Sequence, residues 1–252
     1  MRTYFQVKGG RLEEVKGEVV REQPLSVHVN GERFLTLLCS PFQLEALVLG
    51  YLWMEKVIAA RDEVASLVVS EVDGRAEVML THPVTLPTER ILTSGCGGGI
   101  TFRIDPRLFP RLRSSLRVRP EALAARLHDL LRAAEHYHVS RGIHGAALAD
   151  ADRLLLLAED VGRHNAVDKL KGEALLRDLP TTDRILLSTG RISSEMLLKA
   201  ARMGVPVIAS RTSPTEMAVA LAEQLGITVV GYVRSDGFNL YAGDGLDVAG
   251  LA

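Results

Sequence analysis

The chain has 252 residues, of which 47% are hydrophobic and 24% are charged, a composition typical of a soluble globular protein with one large or two modest domains. Its formal net charge of -1 gives no overall electrostatic basis for binding nucleic acid. No signal-peptide pattern and no apolar run of bilayer length is present, so we expect a cytoplasmic protein without membrane insertion. Its two cysteines, Cys39 and Cys96, are too few for a disulfide framework or a four-thiolate zinc site.

The first hundred residues are predicted to be rich in β-strands and to contain one helix. Asn-Gly and Asp-Gly pairs, which favour tight hairpin turns, each stand between two segments of strand-forming residues. The expected hairpins join 25–29 to 33–38 through Asn30-Gly31, and 64–72 to 76–80 through Asp73-Gly74. Between the hairpins, Ser40 and Pro41 suit the N-cap and first position of a helix. Apolar residues from 44 to 52 then recur at helical spacing.

In the second half of the chain, strand and helix patterns alternate. A helix from 121 to about 137 comes first, and short apolar segments then alternate with amphipathic ones. The expected strands are 146–148, 154–158, 184–188, 206–210 and 228–233, and the expected helices between them are 165–177, 194–203 and 214–225. Ser213 and Glu216 form a capping-box pattern at the start of the last helix. The alternation predicts a three-layer α/β sandwich around a largely parallel sheet.

A proline-rich connector separates the two halves. Five prolines lie within residues 83–120, together with the cysteine loop. We therefore expect two domains. The first is a β-rich N-terminal lobe over residues 1–104, with one helix and the Cys96 loop, and the second is an α/β domain over residues 105–252.

Cys96 stands alone in a glycine-rich loop, residues 93–99. Glycine shields a neighbour poorly, and a glycine-rich backbone can turn its N–H groups toward an anion, which favours a thiolate over a thiol. An isolated cysteine is more often an inert packing residue, but the neighbours of Cys96 are small or polar rather than large and aliphatic. The sequence therefore favours a reactive thiol.

Three turns share one pattern, an apolar strand followed by an arginine among Gly, Ser or Thr and then by a helix start. They carry Arg163, Arg191 and Arg211. Helix N-termini and the arginine fork both bind phosphate, and ligands of α/β sheets bind where strand ends meet helix starts. Helix capping and pairing with a nearby carboxylate explain any single turn equally well, but capping does not explain an arginine in all three. We therefore expect a ligand with several phosphates.

His144 and His164 lie beside these turns, and the sequence leaves open whether each is a site residue or a hydrogen-bonded structural residue. A zinc site of the cytidine deaminase type needs His-x-Glu and Pro-Cys-x-x-Cys, and neither pattern occurs. We therefore expect no metal ligands and no zinc. Lys169 and Lys171 are expected on a solvated helix face.

Three longer segments carry a resemblance to a known family. They are 159–169 (EDVGRHNAVDK), 187–191 (LSTGR) and 231–241 (GYVRSDGFNLY). They resemble the formate dehydrogenase accessory protein family, the FdhD-type sulfur carriers, and the resemblance extends over nearly the whole chain. It implies a cytidine deaminase-like α/β domain without zinc, in a cytoplasmic homodimer. It also implies a sulfurtransferase-like role, in which sulfur passes from a cysteine desulfurase to the molybdenum (or tungsten) bis(molybdopterin guanine dinucleotide) cofactor that formate dehydrogenase needs.

The same resemblance assigns site residues. Cys96 matches the family's cysteine loop and would be the catalytic residue that carries a persulfide. The segment 232–237 matches the C-terminal motif and would contact the cofactor, and we place its phosphates or bases at the polar turns as well. The expected cofactor-binding residues are Tyr232, Val233, Arg234, Ser235, Asp236, Gly237, Arg163, His164, Asn165, Arg191 and Arg211.

One departure separates this chain from many members of that family, which have Cys-x-x-Cys where this chain ends the motif in Gly99. A second thiol could release the outer sulfur by forming a disulfide, and Cys96 has no such neighbour. Cys39 follows two leucines and is expected to be buried, so sulfur would pass directly to the metal or leave with an external reductant. Two alternatives stay open: a non-catalytic chaperone that binds the cofactor, and a hydrolase, against which the missing zinc ligands argue.

Overall fold

The structure is a computed structural model that describes residues 1–85, 91–92, 100–101 and 109–249. The loop with Cys96 and Gly99 lies outside these residues, so its assignment stays a prediction. The expected domain boundary after residue 104 lies outside them too.

Strands occur in both halves of the chain, and most helices belong to the second half. In chain order, the strands are β1 (Arg2–Lys8), β2 (Arg11–Gly17), β3 (Gln23–Val29), β4 (Glu32–Cys39), β5 (Val64–Ser70), β6 (Arg75–Leu80), β7 (Ile91–Leu92), β8 (Ile100–Thr101), β9 (His144–Ala149), β10 (Leu154–Asp160), β11 (Ile185–Ser188), β12 (Val207–Ser210), β13 (Thr228–Gly231) and β14 (Asn239–Ala242). The helices are α1 (Leu44–Met54), α2 (Pro120–Ala133), α3 (Glu135–Ser140), α4 (Arg163–Leu176), α5 (Ser194–Arg202) and α6 (Glu216–Leu225), with a 3₁₀ turn at Arg61–Glu63.

Both expected hairpins are confirmed in a four-stranded sheet of order β4-β3-β6-β5. Asn30 and Gly31 have φ angles of 50° and 84°, which a two-residue turn of type I′ requires at both positions. β3 and β6 pair in parallel and join the two hairpins into one sheet.

Helix α1 begins at Leu44, so the expected start at Ser40 is wrong. Gln43 is the N-cap residue, in the left-handed conformation, and makes no capping bond with its side chain. Ser40 instead accepts a hydrogen bond on its Oγ from Val161 N at 3.0 Å. A hydroxyl that suits an N-cap thus takes part in a long-range contact, which local pattern does not reveal.

Helices α1 and α4 cross with their backbones in contact. A Cβ atom on Gly50 would overlap the carbonyl oxygen of Asp168, and one on Gly172 would overlap that of Ala46. Because α1 lies between the four-stranded sheet and α4, it is buried on nearly every side. The crossing attaches the N-terminal sheet to the second half of the chain.

The second half is built on a six-stranded sheet of order β10-β9-β11-β12-β13-β14. The expected largely parallel sheet is wrong, because only two of its five neighbouring pairs, β11–β12 and β12–β13, are parallel. β9 and β10 form a hairpin, and β14 returns antiparallel beside β13. These connections are too short for a crossover helix.

Helices cover both faces of this sheet. α4 and α5 pack on one face through residues such as Leu170 and Leu197, and α6 joins them there. α2 packs on the other face through Leu123 and Leu127. The fold is therefore α/β in three layers, while the narrower likeness to cytidine deaminases stays a prediction.

Two local expectations need correction. The single helix predicted over 121–137 is divided at Ala134, whose ψ of 85° interrupts the helical backbone between α2 and α3. The N-cap of α6 is Thr215, which accepts from Ala218 N, rather than Ser213.

Candidate functional site

One edge of the six-stranded sheet brings the three arginine turns together. The carboxyl ends of β10, β11 and β12 lie at this edge because the three strands run in the same direction. Arg211 donates its backbone N–H to the carbonyl of Ser188 at 3.2 Å, which links the second and third turns. His164 links the first turn to the second, since its Nε2 lies 3.2 Å from Ser193 Oγ. The turns meet, as the alternation of strands and helices predicts.

The C-terminal motif lies against the third turn. Tyr232 donates its backbone N–H to the carbonyl of Thr212 at 3.1 Å. Arg234 donates from Nη1 to the carbonyl of Arg211 at 2.7 Å. The backbone of Tyr232 is left-handed, with φ of 54°, and its side chain is 43% exposed. The motif therefore extends the same edge and presents an aromatic ring to solvent.

Exposure divides the expected cofactor-binding residues into two groups. Those at the surface are Arg191, Arg234, Tyr232, Ser235, Asp236 and Gly237, with Arg211 and Asn165 half-buried. Those inside are Arg163, His164 and Val233. The surface group can meet a ligand directly. In the inner group, Arg163 and His164 are buried, while Val233 borders a cleft.

The two histidines of the site are held neutral. Burial, the charge of Lys199 and the charge of Arg163 lower the pKa of His164 to about 2. Burial and then Arg163 also lower the pKa of His144. His164 Nε2 lies 3.3 Å from Glu195 Oε2 as well as beside the serine named above. A neutral imidazole has no positive charge with which to attract an anion, so the positive charge that faces a ligand comes from the arginines.

Asn165 connects distant parts of the chain. Its Nδ2 donates to the carbonyl of Leu38 at 2.8 Å and to Asp160 Oδ1 at 2.9 Å. An amide nitrogen has two hydrogens, and these two bonds use both. The expected contact of Asn165 with a cofactor base stays a prediction. In the structure, its amide nitrogen joins Leu38 at the end of the N-terminal sheet to Asp160 at the end of β10.

A cleft of about 420 Å³ opens between α2 and the C-terminal motif. Arg211 and Arg234 lie on one side, with Ser235 beside them. The apolar surface comes from Leu127, Leu131, Val233, Ala124 and Ala125. Two guanidinium groups beside an apolar surface suit a ligand with a flat ring system and a phosphate.

The α2 wall of this cleft was not expected from the sequence. His128 is exposed there and Leu131 is half-buried, while Leu127 and Leu130 belong to the core. The sequence signal was only the helical spacing of leucines, which identifies the buried face. Which exposed residues face a ligand depends on the segment that packs opposite.

Both helix lysines are buried, so the expected solvated face is wrong. Lys169 is 0% exposed, with Nζ 2.7 Å from Asp160 Oδ2 and 3.0 Å from the carbonyl of Glu159, to which it donates. Lys171 is 8% exposed, and its Nζ lies 3.9 Å from the ring centre of Trp53. The reason is α1, which covers this side of α4.

Cys39 is fully buried at the end of β4, as expected from its leucine neighbours. Its Sγ lies 3.8 Å from the carbonyl of Gln23. Burial and the nearby charge of Asp160 raise the pKa of this thiol to about 12. Cys39 is therefore a packing residue that stays protonated.

Within residues 1–85 and 109–249, no group of three or more His, Cys, Asp or Glu side chains could hold a metal ion. Across the same described residues, the longest apolar helices fall short of the length needed to cross a membrane.

Comparisons with known proteins agree with the fold and the motifs. The model of the FdhD/NarQ family matches residues 20–245. A protein of Bacillus subtilis (strain 168) named sulfur carrier protein FdhD is 39% identical over 247 residues, covering 96% of this chain and 94% of its own length. A protein of the same name from Staphylococcus aureus (strain MRSA252) is 39% identical over 239 residues, covering 92% and 90%. A crystal structure described as a formate dehydrogenase accessory protein from Desulfotalea psychrophila has a TM-score of 0.78 at 28% identity and covers 96% of both chains. The chain therefore belongs to the FdhD/NarQ family.

Proposed function

We propose that this chain carries sulfur on Cys96 for a formate dehydrogenase, and that it holds the guanine dinucleotide form of the molybdenum or tungsten cofactor while that sulfur is delivered. The relatives from Bacillus and Staphylococcus are named sulfur carriers. The similar structure from Desulfotalea is described as a formate dehydrogenase accessory protein. The proposal includes a cysteine desulfurase as donor, the dehydrogenase as recipient, a cytoplasmic location and a homodimer.

The observation that carries the binding part is the cleft beside α2. Arg211 and Arg234 line it together with apolar side chains of α2. Arginine forks bind phosphate with two parallel hydrogen bonds, and an apolar surface receives the face of a purine. The cargo carries guanine and pyrophosphate groups, which match these two surfaces.

The loading step needs no reductant. The thiolate of Cys96 attacks the outer sulfur of the desulfurase persulfide, and a new S–S bond forms on Cys96. The S–S bond of the donor breaks, and the donor cysteine leaves as a thiolate. The sulfur therefore moves without a change in oxidation state.

Release of the outer sulfur as sulfide needs two electrons. Cys39 is 0% exposed and Gly99 has no thiol, so neither supplies them. A thiol from outside the chain attacks the inner sulfur, forms a mixed disulfide with Cys96 and releases hydrosulfide. If the sulfur does not pass directly to the metal, its release from this chain needs an external thiol, where a Cys-x-x-Cys loop would use its own.

GDP is the direct probe of the binding part. We expect calorimetry to detect binding of GDP and much weaker binding of guanosine, because the arginines act on the phosphates. Affinity for GDP should fall as salt concentration rises. Equal affinity for GDP and guanosine, or no binding of either, would contradict the assignment of this cleft.

A non-catalytic chaperone is the second candidate. The observation in its favour is the occluded Cys39, which leaves the chain with one further thiol. Such a chaperone would bind GDP equally well and would gain no sulfur from a desulfurase. Mass spectrometry of the protein after that reaction separates the two functions.

A further inference from the structure

One buried carboxylate collects four hydrogen bonds at the start of the site. Asp160 is the last residue of β10 and is 0% exposed. Its Oδ1 accepts from Gly162 N at 2.8 Å and from Asn165 Nδ2 at 2.9 Å. Its Oδ2 accepts from Ser40 N at 3.0 Å and contacts Lys169 Nζ at 2.7 Å. Two carboxylate oxygens offer about four acceptor positions, and all are in use.

These donors come from both halves of the chain. Ser40 belongs to the segment that follows β4, and its Oγ accepts from Val161 N at 3.0 Å. The bond from Asn165 to the carbonyl of Leu38, at 2.8 Å, joins the same two segments. Each of the two segments, residues 38–40 and 160–165, therefore donates hydrogen bonds to the other and accepts hydrogen bonds from it.

Lys169 makes this arrangement electrostatically possible. An uncompensated charge inside a protein is strongly destabilising, because it loses its hydration without gaining a partner. The ammonium group of Lys169 also lies 4.4 Å from the ring centre of Phe42, which belongs to the N-terminal half. The ion pair is thus enclosed by residues from both halves.

The loop held in this way carries the inner residues of the site. Gly162 precedes α4, and Arg163 and His164 are its first two residues. The side chain of Arg163 packs against Gly190 of the second turn, where an added Cβ would lie 3.1 Å from Arg163 Cβ. A shift of the loop therefore displaces Arg163 and His164 relative to the second turn.

We propose that Asp160 is a positioning residue that couples docking of residues 38–42 to the placement of Arg163 and His164, and so to binding of the cargo. The binding half of this inference rests on the function proposed above. The positional half stands on the contacts of Asp160 alone. A loosened N-terminal segment would lower affinity for the cargo without touching it.

Two variants loosen this junction, and one matched variant spares it. Ser40→Ala removes the acceptor of Val161 N. The double variant Asp160→Asn/Lys169→Met removes both charges, and with them the two bonds of Asp160 Oδ2, to Ser40 N and to Lys169 Nζ. Gln43→Ala is the control, because Gln43 Nε2 bonds to Leu157 O and Glu173 Oε1, both at 3.3 Å, away from the loop.

The test has two readouts. The first is the imidazole resonance of His164, assigned with His164→Gln, in spectra recorded well below the unfolding temperature. The second is affinity for GDP. Trp53, the one tryptophan of the chain, lies in α1 beside Lys171 of α4, so its fluorescence reports whether the two helices stay packed.

We expect the His164 resonance to shift in Ser40→Ala and in the double variant, and to stay in place in Gln43→Ala. GDP affinity should fall at least fivefold in the first two and stay within twofold in the control. An unmoved resonance in a folded double variant would overturn the inference. If the double variant does not fold, an unmoved resonance in Ser40→Ala with unchanged Trp53 fluorescence would show that the docked segment does not place His164, which also overturns it. If the unaltered protein does not bind GDP, the proposed function fails, and the resonance still decides the positional claim.

Discussion

Arg234 Nη1 donates a hydrogen bond to the backbone carbonyl of Arg211 at 2.7 Å, so one arginine of the C-terminal motif holds the backbone of the other. The two side chains border the same cleft. This relationship links a motif near the end of the chain to a turn that follows β12. It also means that removal of Arg234 alters the site in two ways, through its charge and through the position of Arg211.

The first prediction concerns these two residues. Arg211→Ala should weaken GDP binding about tenfold, because a charge-assisted hydrogen bond contributes about 1.5–3 kcal/mol. Arg234→Ala should weaken it more, since the turn also loses its hydrogen bond. Arg177→Ala is the control, because Arg177 pairs with Glu173 near the far end of α4. Calorimetry that finds the three variants equal would remove the arginines from the site.

The second prediction concerns the helix crossing. Gly172→Ala should lower the free energy of unfolding by 3 kcal/mol or more, on the order expected for severe overpacking, because its Cβ would overlap the carbonyl oxygen of Ala46. Gly9→Ala is the comparison, since Gly9 has φ of +55° and no atom near an added Cβ. Gly9→Ala should lower the free energy of unfolding by about 1–2 kcal/mol, through backbone strain alone. Urea unfolding measures both, and similar losses would contradict the close crossing.

The third prediction concerns acid stability. His164 has a pKa of about 2 in the folded protein and 6.5 as an ordinary side chain. Below pH 6.5 the unfolded chain therefore binds a proton at His164 that the folded protein does not bind. The free energy of unfolding then falls by roughly 1.4 kcal/mol for each pH unit. The contribution of neutral His164 is present above pH 6.5 and is lost as pH falls.

His164→Gln removes this titration and keeps a hydrogen-bonding side chain. Urea unfolding at pH 7 and pH 4.5 should show a smaller loss of stability on acidification in the variant than in the unaltered protein. An identical loss in both would show that His164 titrates normally in the folded state.

The fourth prediction concerns the buried thiol. Cys39 is 0% exposed and its pKa is raised to about 12, so it should resist iodoacetamide at pH 8. In guanidinium chloride the same residue should react fully. Peptide mapping after each treatment identifies the labelled cysteine. Rapid labelling of Cys39 in the folded protein would reopen a role for it in sulfur transfer.

Local sequence signals were enough for part of the fold. Asn30-Gly31 determines a hairpin because both positions need a positive φ, and the arginine turns meet because strands of the same direction end at one edge. These features depend on near neighbours in the chain or on a general rule of α/β sheets. The role of Cys96 that we propose comes from the family resemblance, because no local rule provides it.

Other features depend on contacts between distant segments. Lys169 belongs to a polar stretch that reads as exposed, and it is buried because α1 covers α4. Ser40 matches a helix cap in sequence, and its Oγ instead accepts a hydrogen bond from Val161, in the turn before α4. His128 borders the cleft only because the C-terminal motif packs opposite α2. Helical spacing identifies which face of a helix is apolar but not what lies against it.

Intact-protein mass spectrometry after reaction with a cysteine desulfurase and cysteine tests the sulfur-carrier claim most directly. The unaltered protein and Cys39→Ala should each gain one sulfur atom that reduction removes, and peptide mapping should place it on Cys96. Cys96→Ser should gain none. Sulfur bound to Cys96→Ser, or no gain by the unaltered protein, would contradict the account.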